Sequence, residues 1–325
     1  MPNRDEVSSP QEAPHKKGPS RADFDAARHD IEDQVRATNE KINARTGRPL
    51  FVAILVGVAL GGALLLSLLI VKDFFLVFAA ALIVVASFEF ATALRAANRK
   101  VPRIPVIITA VAIVPASFYA INPDIGLTAE AGHLLVAAAG IVLISAWRLV
   151  SLLLPSKRTT PSLVVRDLGA GAFVVLYVMF LGGFFVLLTS HEGGQWWTLA
   201  ALIVVVSVDT GAYATGLSFG KHPMAPSISP KKTWEGFAGS VAAAVLAGVL
   251  LALFMLQQPW WVGVILGLTI VVTATVGDLT ESLIKRDLGT KDMSTWLPGH
   301  GGLLDRLDSA LPSAAAAYAL FIVFS

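Results

Sequence analysis

The chain of 325 residues contains no cysteine. Disulfide bonds, thiolate metal sites and cysteine nucleophiles are therefore excluded, and redox chemistry through the chain is not expected. Charge is also scarce, because Asp, Glu, Lys and Arg make up only 15% of the residues and the formal net charge is +2. Apolar residues reach 55%, and the mean hydropathy is +0.68. This composition is typical of polytopic membrane proteins and not of soluble enzymes.

The first 49 residues differ from the rest, since they are rich in charge, Pro and Ser and have no apolar run. We expect residues 1–49 to form a disordered polar tail on the cytoplasmic side. The first apolar run begins at Leu50. A run so far from the start predicts a retained spanning helix and not a cleaved secretory signal.

From Leu50 onward, nine apolar segments are long enough to cross about 30 Å of hydrocarbon at about 1.5 Å per residue. The sequence therefore predicts an all-α, polytopic membrane helix bundle formed by residues 50–325. The third and last segments are marginal in length. The predicted spans are Leu50–Val71, Phe74–Leu94, Ile104–Ile121, Gly132–Leu154, Asp167–Leu188, Trp196–Gly216, Gly236–Leu256, Trp260–Val276 and Ser309–Ser325.

The Lys and Arg residues between the spans predict the orientation. With nine spans and a cytoplasmic N-terminus, fifteen of them lie in inner connections or helix ends, and only Lys72 lies outside. Trp196-Trp197 and Trp260-Trp261 would form an aromatic belt at the outer interface. This bias predicts a polar cavity at the cytoplasmic face, in a bacterial-type cytoplasmic (inner) membrane.

A polar stretch, Ser282 to Asp308, interrupts the apolar C-terminal part of the chain. Asp278 and Glu281 precede it, so acids lie at both edges of a middle rich in Lys, Arg and Gly. This pattern favours a site for a divalent cation and the phosphate oxygens that the cation bridges.

A second polar cluster is predicted on the same face. Asp209 lies about 10 Å deep in span six, and an intramembrane acid usually marks a cavity, although it can also cap or pair within a bundle. Three prolines forbid a helix in the following residues 218–236, where Lys231 and Lys232 stand beside Ser229 and Thr233. The two lysines fit either a membrane-face anchor or, given their hydroxyl neighbours, phosphate binding.

Three ordered motifs in the C-terminal part of the chain resemble those of the phosphatidate cytidylyltransferases, the CDP-diacylglycerol synthases. The match covers about the last 130 residues, with the motifs in about 200–308. The motifs are Asp209-x-x-Ala212-Tyr213-x-x-Gly216; Ser229-Pro230-Lys231-Lys232-Thr233-Trp234-Glu235-Gly236; and Ser282-x-x-Lys285-Arg286-x4-Lys291-Asp292-x5-Pro298-x-His300-Gly301-Gly302-x2-Asp305-Arg306-x-Asp308.

The resemblance implies a Mg²⁺-dependent nucleotidyltransferase of phospholipid biosynthesis. Its reaction is CTP plus phosphatidate to CDP-diacylglycerol plus pyrophosphate, in a multi-span bundle with a cavity open to the cytoplasm. CTP, phosphatidate and the lipid bilayer are the implied partners. Nucleic acid is not expected, and a homodimer is left open.

Site roles follow from the resemblance and from the residue types together. Asp278 and Asp305 are carried over as metal ligands, and Asp209, Glu281 and Asp308 are further candidates. Basic side chains are expected to neutralise phosphates, glycine N–H groups to approach them closely, and His300 to donate a hydrogen bond. The catalytic candidates are Lys285, Arg286, His300, Asp305 and Arg306, and the substrate-binding candidates are Ser229, Lys231, Lys232, Thr233, Ser282, Lys291, Gly301 and Gly302.

Two other functions compete with this interpretation. A transporter of an anionic solute would also carry charges in a bundle, but its acids should lie near the midplane, and no internal duplication is visible. The other is a different CDP-lipid enzyme, such as a CDP-alcohol phosphotransferase, whose spaced Asp-Gly, Ala-Arg and Asp pattern is absent. Pyrophosphate release that depends on both CTP and phosphatidate distinguishes the enzyme from the transporter.

Overall fold

The computed structural model describes residues 50–70, 72–119, 127–153, 160–290, 293–294 and 302–325. The chain divides into two units, Met1–Ile54 and Leu55–Ser325. Of the first unit only the beginning of a helix is described, so the predicted tail, residues 1–49, lies outside the described residues. The second unit contains the predicted site residues.

Apolar segments of the described chain form helices, because only a helix satisfies its own backbone hydrogen bonds in lipid. One helix, α5 (Pro161–Ser190), contains a π-helical turn, Val175–Phe180, and the last helix, α9 (Leu304–Phe324), opens with a short turn, Leu304–Leu307, before Ala310–Phe324. The helices are α1 (Leu50–Ile70), α2 (Lys72–Ala96), α3 (Arg103–Phe118), α4 (Ala129–Val150), α5 (Pro161–Ser190), α6 (Gly194–Phe219), α7 (Trp234–Phe254), α8 (Trp260–Leu288) and α9 (Leu304–Phe324).

Each predicted span overlaps one of these helices, and the all-α, polytopic membrane class is confirmed. Within the described ranges, seven helices, α2 and α4 to α9, are long and apolar enough to cross a membrane. The helix α3 has 16 residues, and Gly61–Ile70 is the apolar stretch recorded in α1. The number of nine spans and the orientation stay predictions.

One predicted boundary is wrong in a way that affects the site. Span eight was expected to end at Val276, whereas α8 continues to Leu288. Hydropathy falls after Val276, but Gly277 does not end the helix, and no proline or further glycine follows until Gly289, which ends the helix with φ 68°. Glycine adopts this left-handed conformation without strain. The polar stretch therefore begins, from Ser282 to Leu288, as about two turns of helix and not as a loop.

The proline-rich connection between α6 and α7 forms an antiparallel hairpin, β1 (Pro223–Ala225) and β2 (Ser229–Thr233). Residues 220–233 contain no helix, as predicted, but the predicted helix-free range of 218–236 is too long, because α6 runs to Phe219 and α7 begins at Trp234. The hairpin was not anticipated. The Thr233 hydroxyl then accepts a hydrogen bond from the Gly236 N–H at 3.1 Å and caps α7. The hairpin is thereby joined rigidly to the start of α7.

Two apolar cores hold the helices together, and α9 belongs to both. Leu304 and Leu311 pack into the core built mainly from α2 to α5, whereas Ala317 and Phe321 pack into the core of α6, α7 and α8. At Gly277 a Cβ atom would collide with the backbone oxygen of Asp308. The missing side chain lets α8 approach the start of α9 closely. This contact brings the polar end of α8 to the polar start of α9.

Candidate active site

Three carboxylates meet where α8 approaches α9. Asp278 and Glu281 stand three residues apart and so share one face of α8. Asp308 lies between the Leu304–Leu307 turn and Ala310. One carboxylate oxygen from each of the three lies within 4.8 Å of the others. We call these residues the acidic triad.

Two lysines offset the charge of the acidic triad. Lys232 of β2 places its Nζ 2.6 Å from Asp278 Oδ2. Lys285, one turn after Glu281, lies 2.5 Å from Glu281 Oε2 and 3.5 Å from Asp305 Oδ1. Because like charges so close together repel, the lysines stabilise the cluster, and the cluster in turn fixes the lysines.

Asp305 lies beside the acidic triad and organises the backbone around it. Its carboxylate accepts hydrogen bonds from the Gly302 N–H at 2.9 Å and from the Met293 N–H at 3.3 Å. It also contacts the Glu281 carboxyl group. Asp278 is thus grouped with Glu281 and Asp308, and the expected Asp278 and Asp305 pair of metal ligands stays a prediction.

Sequence reasoning missed Glu89 of α2, a side chain with only 1% exposure. Its two oxygens accept hydrogen bonds from Ser294 Oγ at 2.5 Å and from the Leu304 N–H at 3.0 Å. A Cβ atom on Gly302 would lie 3.1 Å from Glu89 Oε2. The Glu89 carboxylate therefore holds both Ser294 and the first residue of α9 in place. The available signal was an ionisable residue within an apolar span.

A cavity of about 300 Å³ opens beside the acidic triad, between α6, the hairpin, α7 and α8. Asp278 lines it and so belongs to both the cavity and the triad. Lys232, which could have been a surface anchor, is part of the cavity wall. The predicted site residues that line this cavity are Asp209, Ser229, Lys231, Lys232, Thr233 and Asp278.

Three further candidates lie close to this cavity or the triad. The Ser282 hydroxyl donates to Asp278 Oδ1 at 3.4 Å, and Arg286 Nε donates to the Ile228 carbonyl oxygen at 2.5 Å. The second contact ties α8 to the hairpin turn. Arg306 lies in the Leu304–Leu307 turn and is exposed. Lys291, His300 and Gly301 lie outside the described residues.

The donor set fits a divalent cation. Glu281 is 1% exposed, and its Oε1 is buried with no hydrogen-bond donor among the described residues. An orphaned carboxylate oxygen facing two other carboxylates is what an oxygen-preferring cation satisfies. Lys231 and Lys232 in the wall of the adjoining cavity suit phosphate groups that would share such a cation.

The geometry agrees with comparisons to known proteins. The model of the cytidylyltransferase family matches residues 51–324. The phosphatidate cytidylyltransferase of Mycobacterium bovis is 39% identical over 280 residues, covering 85% of this chain and 89% of that protein. The Mycobacterium leprae protein of that name is 40% identical over 288 residues, covering 86% and 90%. The Brucella suis protein is 36% identical over 192 residues, covering 59% and 65%.

Proposed function

Because the chain belongs to the cytidylyltransferase family, we propose that it is a phosphatidate cytidylyltransferase. In the proposed reaction a phosphatidate oxygen attacks the α-phosphorus of CTP. The bond from that phosphorus to the oxygen bridging to the β-phosphorus breaks, and pyrophosphate leaves with the bond electrons. The products are CDP-diacylglycerol and pyrophosphate, and no covalent enzyme intermediate is needed.

The observation that carries this proposal is the continuity between the acidic triad and the cavity that Lys231 and Lys232 line. Asp278 joins the two, and Lys232 pairs with it from the hairpin. Nucleotidyl transfer depends mainly on positioning the reactants and on neutralising phosphate charge. A cavity with cations on one wall and clustered carboxylates on another provides both within one helix bundle.

The described side chains suggest a division of roles. Lys231 and Lys232 at the cavity would bind CTP phosphates, and the Ser229 hydroxyl would donate to a phosphate oxygen. Lys285, between Glu281 and Asp305, would place its charge where the negative charge develops on the transferred group. Arg286 and Arg306 would act on the outer phosphates or the lipid headgroup.

We propose Mg²⁺ as the cofactor, held by Asp278 and Asp308, with Glu281 and Asp305 beside them. Bound there, it would supply positive charge to the phosphate oxygens. Mg²⁺ usually takes one or two carboxylates together with substrate phosphates, which fits Asp278 and Asp308 as its direct ligands. The lysine contacts keep these carboxylates in place before substrate arrives.

The seven long apolar helices make this an integral membrane protein. We propose that it lies in the cytoplasmic membrane with the cavity facing the cytoplasm, as the Lys and Arg bias predicts. Phosphatidate would keep its acyl chains in lipid while its phosphate enters the cavity. CTP would arrive from the aqueous side.

A nucleotide assay on the purified full-length chain tests the proposal. We expect pyrophosphate release in liposomes only when CTP and phosphatidate are both present, with CDP-diacylglycerol formed in equal amount. Uptake of an anionic solute without pyrophosphate release would favour the transporter. Size measurement of the detergent-solubilised chain tests the homodimer separately.

A further inference from the structure

A second cavity, of about 420 Å³, lies where α2 and α4 end and α3 begins. We call it the basic pocket, after the four cationic side chains in its wall: Arg95, Lys100, Arg103 and Arg148. None of the residues that line it also lines the candidate active-site cavity. We propose that the basic pocket binds the phosphate of an anionic phospholipid headgroup, at a site separate from the reaction site.

A buried ion pair builds one wall of the basic pocket. Arg148 is 5% exposed, and its Nε donates to Asp167 Oδ2 at 2.8 Å. The same Asp167 carboxylate accepts from the Lys100 backbone N–H at 2.8 Å. A buried pair of this kind costs desolvation energy and seldom adds much stability. Here it fixes the connection between α2 and α3 against α4 and α5, so the pocket is formed before a ligand arrives.

Other contacts hold the remaining cations in position. Arg95 Nη1 donates to the Val101 carbonyl oxygen at 3.0 Å. The Arg103 guanidinium lies 5.3 Å from the centre of the Phe88 ring. Each contact leaves the positive charge uncompensated, because neither partner is an anion. The Arg95 and Arg103 side chains are thus held in position but can still bind an anion.

The charge balance of the basic pocket favours an anionic ligand. Within the described ranges, the carboxylate that forms an ion pair with a side chain of the basic pocket is Asp167, and its partner is Arg148. The charges of Arg95, Lys100 and Arg103 have no acidic partner among the same residues. Clustered Arg and Lys donors are the usual protein ligands of phosphate.

The rim of the basic pocket points to a lipid as the source of the phosphate. Ile104 and Trp147 line it, and they are 59% and 46% exposed. Exposed apolar side chains continue from the rim along α3, at Ile108 and Val111. A lipid whose phosphate enters the pocket would lay its acyl chains on this surface. Basic pockets between spanning helices commonly bind phospholipid headgroups, and Trp favours the headgroup level.

Photocrosslinking tests the proposal on the full-length protein. The probe is phosphatidylglycerol with a photoreactive group, which the proposed reaction neither consumes nor forms, diluted into phosphatidylcholine vesicles. We expect crosslinks to residues 95–104, mapped by mass spectrometry. Lys100→Gln should lower their yield about five-fold, from the typical attraction of one surface cation to anionic lipid. Lys100→Gln/Arg103→Gln should lower it further.

The matched control is Arg166→Gln, which removes one exposed cation at the start of α5, outside the basic pocket. It should leave the crosslink yield unchanged. An equal loss in this control would show attraction to general surface charge and would overturn the proposal, as would full yield in the double variant. Because Lys100 is exposed, the single variant tests the proposal even if the double variant does not fold.

Competition distinguishes the two sources of phosphate. Unlabelled phosphatidylglycerol should displace the probe, whereas inorganic phosphate and unlabelled phosphatidylcholine should not. Displacement by inorganic phosphate alone would assign the pocket to a free anion and overturn the lipid assignment. Pyrophosphate release measured on the same samples reports on the reaction site, so failure of one proposal is visible apart from failure of the other.

Discussion

At the scale of single residues, the function depends on carboxylates that the fold places side by side. Asp278, Glu281 and Asp308 converge within 4.8 Å, and Glu281 keeps a buried oxygen without a donor among the described residues. Such an arrangement destabilises the folded chain unless cations compensate it. Its position beside the cavity that Lys231 and Lys232 line is best explained by a role in binding metal and phosphate.

Replacing a triad carboxylate by its amide tests that role. Asp278→Asn and Asp308→Asn remove charge at nearly constant volume, so we expect turnover to fall at least about 100-fold, since a metal on the phosphates contributes several kcal/mol. The thermal midpoint should stay near that of the wild type. Activity measured against Mg²⁺ concentration should show a requirement shifted to higher Mg²⁺ in any residual activity.

The matched control is Asp287→Asn, on the same helix but paired with Arg99 on an exposed surface. It should leave turnover unchanged. Asp305→Asn belongs in the same series, because its backbone hydrogen bonds give it a structural role beside the expected metal role. Wild-type Mg²⁺ curves for both Asp278→Asn and Asp308→Asn would refute the metal assignment. Lys285→Ala should instead lower turnover and weaken CTP binding with an unshifted Mg²⁺ requirement, because a cation near the phosphates is lost while the carboxylates remain.

Glu89 is expected to act as a positioning residue for the segment before α9. Glu89→Ala removes the acceptor of the buried Leu304 N–H, a loss of about 1–3 kcal/mol, and it also removes the hydrogen bond from the Ser294 hydroxyl to Glu89. We therefore expect turnover to fall about 10-fold or more. Glu89→Gln should restore most of it, because the amide oxygen can accept from the Leu304 N–H while the amide donates to the Ser294 hydroxyl.

The comparison variant for Glu89 is Glu130→Ala. Glu130 lies in the first turn of α4 and contacts the C-terminal part of α9, away from the candidate site. There Glu130 accepts from the Tyr318 hydroxyl at 3.2 Å and lies 3.1 Å from His191. It should lower the thermal midpoint and leave kcat near the wild-type value. If Glu89→Ala behaves in the same way, its role is structural only.

At the scale of elements, the length of α8 decides how the site is assembled. The helix runs past Val276 to Leu288, so Asp278, Glu281 and Lys285 are presented from one rigid face. Gly277 then sets how closely this face meets α9. Catalytic groups on a rigid helix keep their geometry better than groups on a loop.

Adding a methyl group at this contact should damage the site. In Gly277→Ala the new Cβ atom meets the Asp308 carbonyl oxygen and Pro312. Relieving that overlap costs about 1–3 kcal/mol and separates Asp308 from α8. We expect a lower thermal midpoint and a turnover loss of about 10-fold or more. Both are measured on purified protein.

Gly169→Ala in α5 is the control, since nothing lies within 4 Å of its added Cβ atom. It should be neutral or slightly stabilising, because Ala favours the helix over Gly by about 0.5–1 kcal/mol. Full activity in Gly277→Ala would mean that the α8 and α9 contact does not position the triad.

Much of the fold and of the candidate site could be predicted from the sequence, since span positions follow from apolar composition and the site motifs lie in order along the chain. The helical continuation to Leu288 was missed because hydropathy measures membrane burial and not helix length. Recognising it would have placed Asp278 and Glu281 on one face. Sequence spacing could not predict the role of Glu89, since its partners Ser294 and Leu304 are more than 200 residues away in sequence.

At the scale of the whole molecule, the polar functions lie at one end of the helices. The acidic triad, the hairpin and the basic pocket all occur where α2, α4, α6 and α8 end. The cluster of Glu130, His191 and Tyr318 lies toward the other ends of α4, α5 and α9. The Lys and Arg bias of the sequence predicts that the end with the acidic triad, the hairpin and the basic pocket faces the cytoplasm.

The polar tail is expected to be dispensable for the reaction. Removing residues 1–40 leaves every predicted site residue in place, so turnover should stay within a few fold of the full-length value. The truncated protein is compared with the full chain by pyrophosphate release at matched thermal stability. A complete loss of activity in folded truncated protein would assign the tail a direct role.

The orientation can be tested directly because the chain has no cysteine of its own. Ser227→Cys places a thiol in the hairpin turn beside the candidate active site, and Gln258→Cys places one between α7 and α8 at the opposite end. If the cavity faces the cytoplasm, a membrane-impermeant maleimide applied to intact spheroplasts should label Gln258→Cys and not Ser227→Cys. Disrupting the membrane should expose both. Labelling of Ser227→Cys from outside would reverse the orientation and place the site away from cytoplasmic CTP, in conflict with the proposed reaction.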